Sequence, residues 1–403
     1  MRTLENILCS VLISVFGLGS VSLHAADRPK MISEVAPSNL PESGKDSRIT
    51  AFDVAPDGSR LAVLYLTWPS RTSFGLSVAI WDTHTKAIVR HTQIGVHGFD
   101  PSYPFSPAGP YIDHEVFFTT DNKHLVVLGL GKVWILDAST CTVVRPIDAP
   151  KSDLGPPIRI LTTANSVGVT YRQADSQFYV ALFEIPSARM IAGWHLSVSP
   201  QSFSPNGNLA VGADAEHYNQ GGVTNLLVMD ARTGAVIKSI PVIFGFKKWD
   251  PDERKGSFTA RFLDNENVVV TPDNMTDHTG HHSGNSMEVI NISESRVVRE
   301  ITPKNFGPTG ELAVSRDLSH FAVYSHDVSA FAKLSDGLWP DFHKPELMLF
   351  SKDRTKPELV IPNLKADGAV AHLQNMILPS LSSDASVVAV AQLGAVKIFQ
   401  TKE

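Results

Sequence analysis

Apolar residues in this chain come in short runs, each closed by residues that favour turns. The clearest stretch lies between residues 49 and 94: ITAFDVAPDGSRLAVLYL, a polar loop, then LSVAIWDTHTKAIVRHTQI. Its apolar runs fall at about Ile49–Val54, Leu61–Leu66, Val78–Trp81 and Ile88–Ile94. Pro56-Asp57-Gly58 separates the first two, and Asp82-Thr83-His84-Thr85-Lys86 the last two. Runs of this length, rich in Val, Ile, Leu, Trp and Thr and bounded by Pro, Asp, Gly and Ser, predict strands. Four in succession make a meander that cannot bury both of its faces alone. No helical periodicity is sustained beyond the N-terminus, so the pattern predicts an all-β chain.

The module returns in degraded form over Ile112–Ile147, Ile158–Leu196, Gln201–Val242, Phe258–Ile301, Glu311–Ile361 and Ile377–Gln400. The slot after each third strand holds Asp82, Asp137, Glu184, Asp230, Asn291, Ser351 and Gln400. Intervals of about 46 to 61 residues belong to propellers or arrays, whose neighbouring units cover each other's faces. The last module lacks a fourth strand, whereas Met31–Val35 reads as a strand without a module. Pairing the two would close a ring and remove the open sheet edge.

Several segments resemble the blades of a WD-repeat or YVTN-type β-propeller: Ala55-Pro56-Asp57-Gly58, Trp81-Asp82, Ser204-Pro205-Asn206-Gly207 and Met229-Asp230-Ala231-Arg232-Thr233-Gly234. The resemblance covers about residues 31–400 and implies a single β-propeller; the module count predicts seven four-stranded blades closed by the N-terminal strand, with six or eight as alternatives. It is specific for the fold and weak for function, because propellers host many unrelated activities. The chain departs from the WD-repeat pattern in having no regular Gly-His pair at its blade starts.

Residues 1–26 are a different material. Arg2 precedes an uncharged apolar run, Ile7–Leu23, that ends in Leu23-His24-Ala25-Ala26. This predicts a secretory signal peptide cleaved after Ala25 or Ala26, with an uncleaved membrane anchor as the alternative. Residues 27–47 form a leader that includes the closing strand, and 48–403 the propeller. The expected location is outside the cytoplasm, periplasmic or extracellular. Of two cysteines, Cys9 and Cys141, cleavage would leave only Cys141, so the mature chain would hold no internal disulfide. A net charge of −6 and pI near 6.2 argue against nucleic acid bound through a basic face.

The long insertions fall between strands two and three and between modules, positions that share one face of a propeller. Inserted loops on one face mark a binding surface. They run over about 67–75, 96–111, 214–224, 243–257, 271–285, 325–345 and 362–375. They carry His217, Tyr218, Trp249 and Trp339 as candidate ligand contacts, with a protein or glycan as the expected ligand. Asp277, His278, His281 and His282 form the densest constellation. Imidazole and carboxylate on one loop can hold a divalent metal. The same residues also suit a solvated loop, since their spacing matches no zinc motif. A third group, His326, Asp327, Trp339 and His343, offers His/Asp pairs without a nucleophile motif. These readings favour a ligand- or protein-binding scaffold with no assigned cofactor. Against it stands a propeller enzyme, implied by the resemblance to YVTN-like lactonases, with a metal near the channel mouth.

Overall fold

A computed structural model describes residues 29–41, 47–70, 73–98, 114–162, 165–173, 177–196, 198–214, 225–242, 255–276, 286–303, 306–327, 346–362, 364, 379–392 and 394–402. The chain is an all-β propeller of seven four-stranded antiparallel blades arranged in a ring. From the channel outward, blade one consists of Arg48–Val54, Arg60–Ser70, Ser73–Asp82 and Ala87–Gly98. The innermost strands of the next five blades are Glu115–Phe118, Pro157–Thr162, Ser202–Phe203, Lys255–Phe262 and Phe306–Val314. Blade seven is built from Ser380–Leu381, Val387–Gln392, Ala395–Gln400 and, as its outermost strand, Lys30–Val35. Lys30 pairs with Gln400 and Val35 with Val396, so the ring closes as the apolar pattern predicts.

The middle strands carry unbroken apolar runs because both of their faces are covered. Leu61 to Tyr65 are all fully buried. Alternate residues face opposite neighbours: Ala62 and Leu64 pack with Phe118 and Leu125 of blade two, Leu61 and Val63 with Ala389 and Ile398 of blade seven. One apolar cluster of this kind fills each of the seven interfaces between successive blades. The core is thus a ring of equivalent interfaces, each dependent on both neighbours.

The acidic slot proves to be a turn cap. Asp82 Oδ1 accepts the backbone N–H groups of His84 and Thr85 at 3.0 and 2.7 Å. Asp137 does the same for Ser139 and Thr140, and Asp230 for Arg232 and Thr233. Glu184 takes the Ser187 hydroxyl and the Arg189 guanidinium instead. These outer turns are tied to the inner turns of their own blades, as in Thr83 N–H to Ser59 O and Ala231 N–H to Asn208 O. One face of the ring, here the turn face, therefore consists of short turns that spend their polar groups internally.

Hydrogen bonds to Ser139 and Thr140 hold the Asp137 carboxyl down at about 2. A folded pKa below the unfolded value adds stability above the unfolded pKa, near 4, that is lost as pH falls through about 2. Because the carboxylate is largely exposed and screened by solvent, Asp137→Asn is expected to lower stability at pH 7 by no more than about 1 kcal/mol. In urea unfolding the gap from wild type should shrink steadily between pH 4 and pH 2.

A basic residue ties each of several blades to the next. Arg145 Nη1 donates to Ser187 O at 2.9 Å, and Lys238 Nζ to Ile292 O and Ser293 O, both at 2.7 Å. Arg299 donates to Lys352 O. Each stands eight positions after its blade's slot residue (137 to 145, 230 to 238, 291 to 299), a regularity present in the sequence.

Three expectations are corrected. The insertion at 67–75 is mostly strand: Thr67 pairs with Gly75 and Ser70 with Ser73, and Thr67 and Phe74 are buried. His326 and Asp327 pair with Gly307 and Phe306 inside a strand pair of blade six, and are not on a loop. Blade five begins at Lys255, and its second strand runs to Thr276. In each case the ladder continues through backbone groups that no alternating apolar pattern announces. Cys141 lies at a turn with positive φ, 60°, buried against Val78 O. Burial pushes its thiol up to about 12, which leaves it a thiol at neutral pH.

Candidate functional site: the central channel

An innermost strand pairs with the second strand of its own blade, which leaves N–H and C=O groups on its other edge toward the channel; blade six differs, since its Thr309 also pairs with Asp273 of blade five. Side chains from the preceding blade meet several of them. Ser380 Oγ accepts the Val54 N–H at 2.8 Å, and Asp53 Oδ2 that of Phe118 at 2.7 Å. Glu115 Oε2 accepts from Ile160 at 2.6 Å, and Gln201 Oε1 from Ala260 at 2.7 Å while its Nε2 donates to Phe258 O. The caps explain why polar residues interrupt otherwise apolar inner strands.

At the turn-face end the channel is crossed by one side chain. Arg316, on the inner turn of blade six, donates through Nη2 to Asp53 Oδ2 at 2.6 Å and through Nη1 to Phe118 O. Asp53 Oδ1 also accepts the Ser380 hydroxyl at 2.7 Å. The network joins blades six, seven, one and two. Both charged side chains are largely buried, at 15% and 9% exposure. Burial raises the Asp53 carboxyl's hold on its proton, and the Arg316 charge works against that rise.

The channel around this network holds a cavity of about 680 Å³ that Asp53 and Arg316 themselves help to line. Arg159, Arg261, Glu115 and His114 line it, together with Phe117, Leu161 and Phe203. Arg261 Nη1 donates to Gln201 O and Ala260 O. Burial and then the nearby Arg159 charge bring the Arg261 guanidinium down to about 10, with Glu115 offsetting part of the fall. Burial, and secondarily Arg48, lower His114 to about 4, so it is neutral at pH 7. Its Nε2 is buried without a hydrogen-bond partner.

The candidate contacts His217, Tyr218, Trp249 and Trp339 lie outside the described residues, as do Asp277, His278, His281 and His282. Among the described residues, no group of three or more His, Cys, Asp or Glu side chains is placed to hold a metal ion. What the loop-centred reading of the sequence missed is the channel set. The available signal was a charged or amide residue inside an inner-strand run, such as Asp53 in Phe52-Asp53-Val54 and Gln201 before Ser202-Phe203.

No family model matches the chain, and no curated protein does. Solved structures share its fold. A chain of a mitotic checkpoint complex superposes with a TM-score of 0.53 at 11% identity, over 93% of this chain and 94% of that one. The WD40 propeller domain of Doa1 gives 0.52 at 11% identity, over 93% and 98%. A chain of hydrazine synthase from Kuenenia stuttgartiensis gives 0.52 at 12% identity, over 89% and 97%. At such identities the likeness defines the class of protein, a seven-bladed β-propeller, and stops there.

Proposed function

We propose that this is an exported, non-enzymatic propeller that binds a partner protein through the face opposite the short turns. The observation that carries this reading is the asymmetry of the ring. The turn face is made of tight, internally bonded turns. The strand ends joined by the segments 99–113, 215–224, 243–254, 277–285, 328–345 and 365–378 lie at the other face, here the connector face. Those segments contain Trp249, Trp339, Tyr218 and His217. Aromatic side chains set among polar ones suit a protein contact. WD40 propellers among the structural neighbours are consistent with a scaffold, and the apolar run at 7–23 supports export. The histidine loop remains a candidate for a divalent metal on the same face, read from its composition.

Cross-linking mass spectrometry of the mature protein in envelope fractions of its source cell tests the reading. Cross-links to one partner should map to Lys247, Lys248 and Lys365 on the connector segments. Links concentrated on Lys86, Lys123 and Lys352 of the turn face would overturn it, and so would no reproducible partner.

A further inference from the structure

We propose that the channel binds a small organic anion, a carboxylate or phosphate with an apolar body, through Arg159 and Arg261. This site is separate from the partner-binding face and does not depend on that reading. Three guanidinium groups line the cavity, and Asp53 accounts for one of them by pairing with Arg316. Arg159 and Arg261 then face a single carboxylate, Glu115, which caps the Ile160 N–H. Among the described residues neither arginine has a carboxylate within ion-pair distance. Among the described residues one positive charge lining the cavity is therefore uncompensated, an arrangement that costs free energy in a partly buried site unless an anion is supplied.

The geometry suits a bound anion in two further ways. Arg261 is fixed in place, since both of its hydrogen bonds use Nη1, to Gln201 O and Ala260 O. Its Nη2 and Nε groups are then positioned for a planar or tetrahedral oxyanion, which guanidinium binds in a bidentate way. Burial is the main cause that lowers Arg261, and the second, repulsion from Arg159, would be relieved by a negative charge beside the two. Phe117, Leu161 and Phe203 supply partly buried apolar surface beside the charges. A volume of about 680 Å³ lies within the usual range for a small-molecule site, roughly 300–1,000 Å³.

Isothermal titration of the mature full chain at low ionic strength tests the site, with phenyl phosphate, inorganic phosphate and phenol as probes. Phenyl phosphate should bind at one site and more tightly than inorganic phosphate, whereas phenol should give no saturable heat. Arg159→Gln should weaken phenyl phosphate at least about tenfold, because a charge-assisted bidentate contact is lost. Its thermal midpoint should equal or exceed that of wild type, since a like-charge repulsion goes with it. Arg159→Lys, which keeps the charge and loses the fork, should fall between the two in affinity. Added sodium chloride should weaken binding in wild type more than in Arg159→Gln. Absence of saturable binding by either phosphate probe would overturn the proposal. So would equal affinity in wild type, Arg159→Gln and Arg159→Lys, or a marked loss of folding stability in Arg159→Gln, which would make Arg159 a structural residue.

Discussion

Val35→Asp is expected to open the ring, with loss of cooperative unfolding or a fall in thermal midpoint of about 5–10 °C. Val35 is fully buried in the outermost strand of blade seven, in one cluster with Ile49, Val63 and Ile398. Leu40, at 3% exposure, belongs to the same cluster, and the Tyr65 hydroxyl donates to Pro41 O just after it. Burying a Val or Leu side chain contributes about 1.5–3 kcal/mol each. Two such anchors are a large share of a net stability of about 5–15 kcal/mol. The Asp side chain would also place a charge between blades seven and one. Met31, on the same strand but 50% exposed, is the control: Met31→Asp should leave the midpoint nearly unchanged. Light scattering should rise with Val35→Asp, because a released strand leaves an open edge at Ala395–Gln400. If both variants melt with wild type, closure by the N-terminal strand contributes nothing.

Breaking the channel floor should have an effect of similar size by a different route. Arg316→Met leaves the Asp53 carboxylate buried, with only the Phe118 N–H and the Ser380 hydroxyl as partners. Removing one member of a buried ion pair costs about 3–5 kcal/mol. Asp53→Asn should cost a comparable amount, because Arg316 then carries the unpaired charge. The double variant should recover a substantial part of the loss, since an uncharged pair has no desolvation debt. Urea unfolding of the four proteins gives the coupling energy directly. Strictly additive losses would mean that the two side chains act independently, and that the floor does not lock blades six, seven, one and two together.

Much of the fold was legible because it rests on short-range features. Alternation along Leu61–Tyr65 is hidden, since both faces are apolar, yet the length of the run and its bounding turns were sufficient. The turn residues Pro56-Asp57-Gly58 and Asp82 announced themselves by type, as the caps at Asp82, Asp137 and Asp230 show. Strand ends were less legible. Ser70 and Ser73, or Lys255 and Thr276, pair through backbone groups that every residue possesses, so no side-chain pattern marks them.

The channel was the least legible part. Asp53, Ser380, Arg316 and Phe118 are far apart in the chain, and nothing local says that they meet. A carboxylate in an apolar run looks the same whether it faces water, an ion pair or a strand edge. Only the closed ring decides, by bringing the unpaired edge of one blade against the side chains of the one before it. The sequence by itself determined the repeating strand unit, the number of units, their turn chemistry and the strand that completes the last one. All of these depend on residue type and spacing within a few tens of residues. The tertiary structure decided which polar side chains face the channel, which charges cancel and which do not. Those properties depend on distances between blades, set by the packing of seven apolar interfaces.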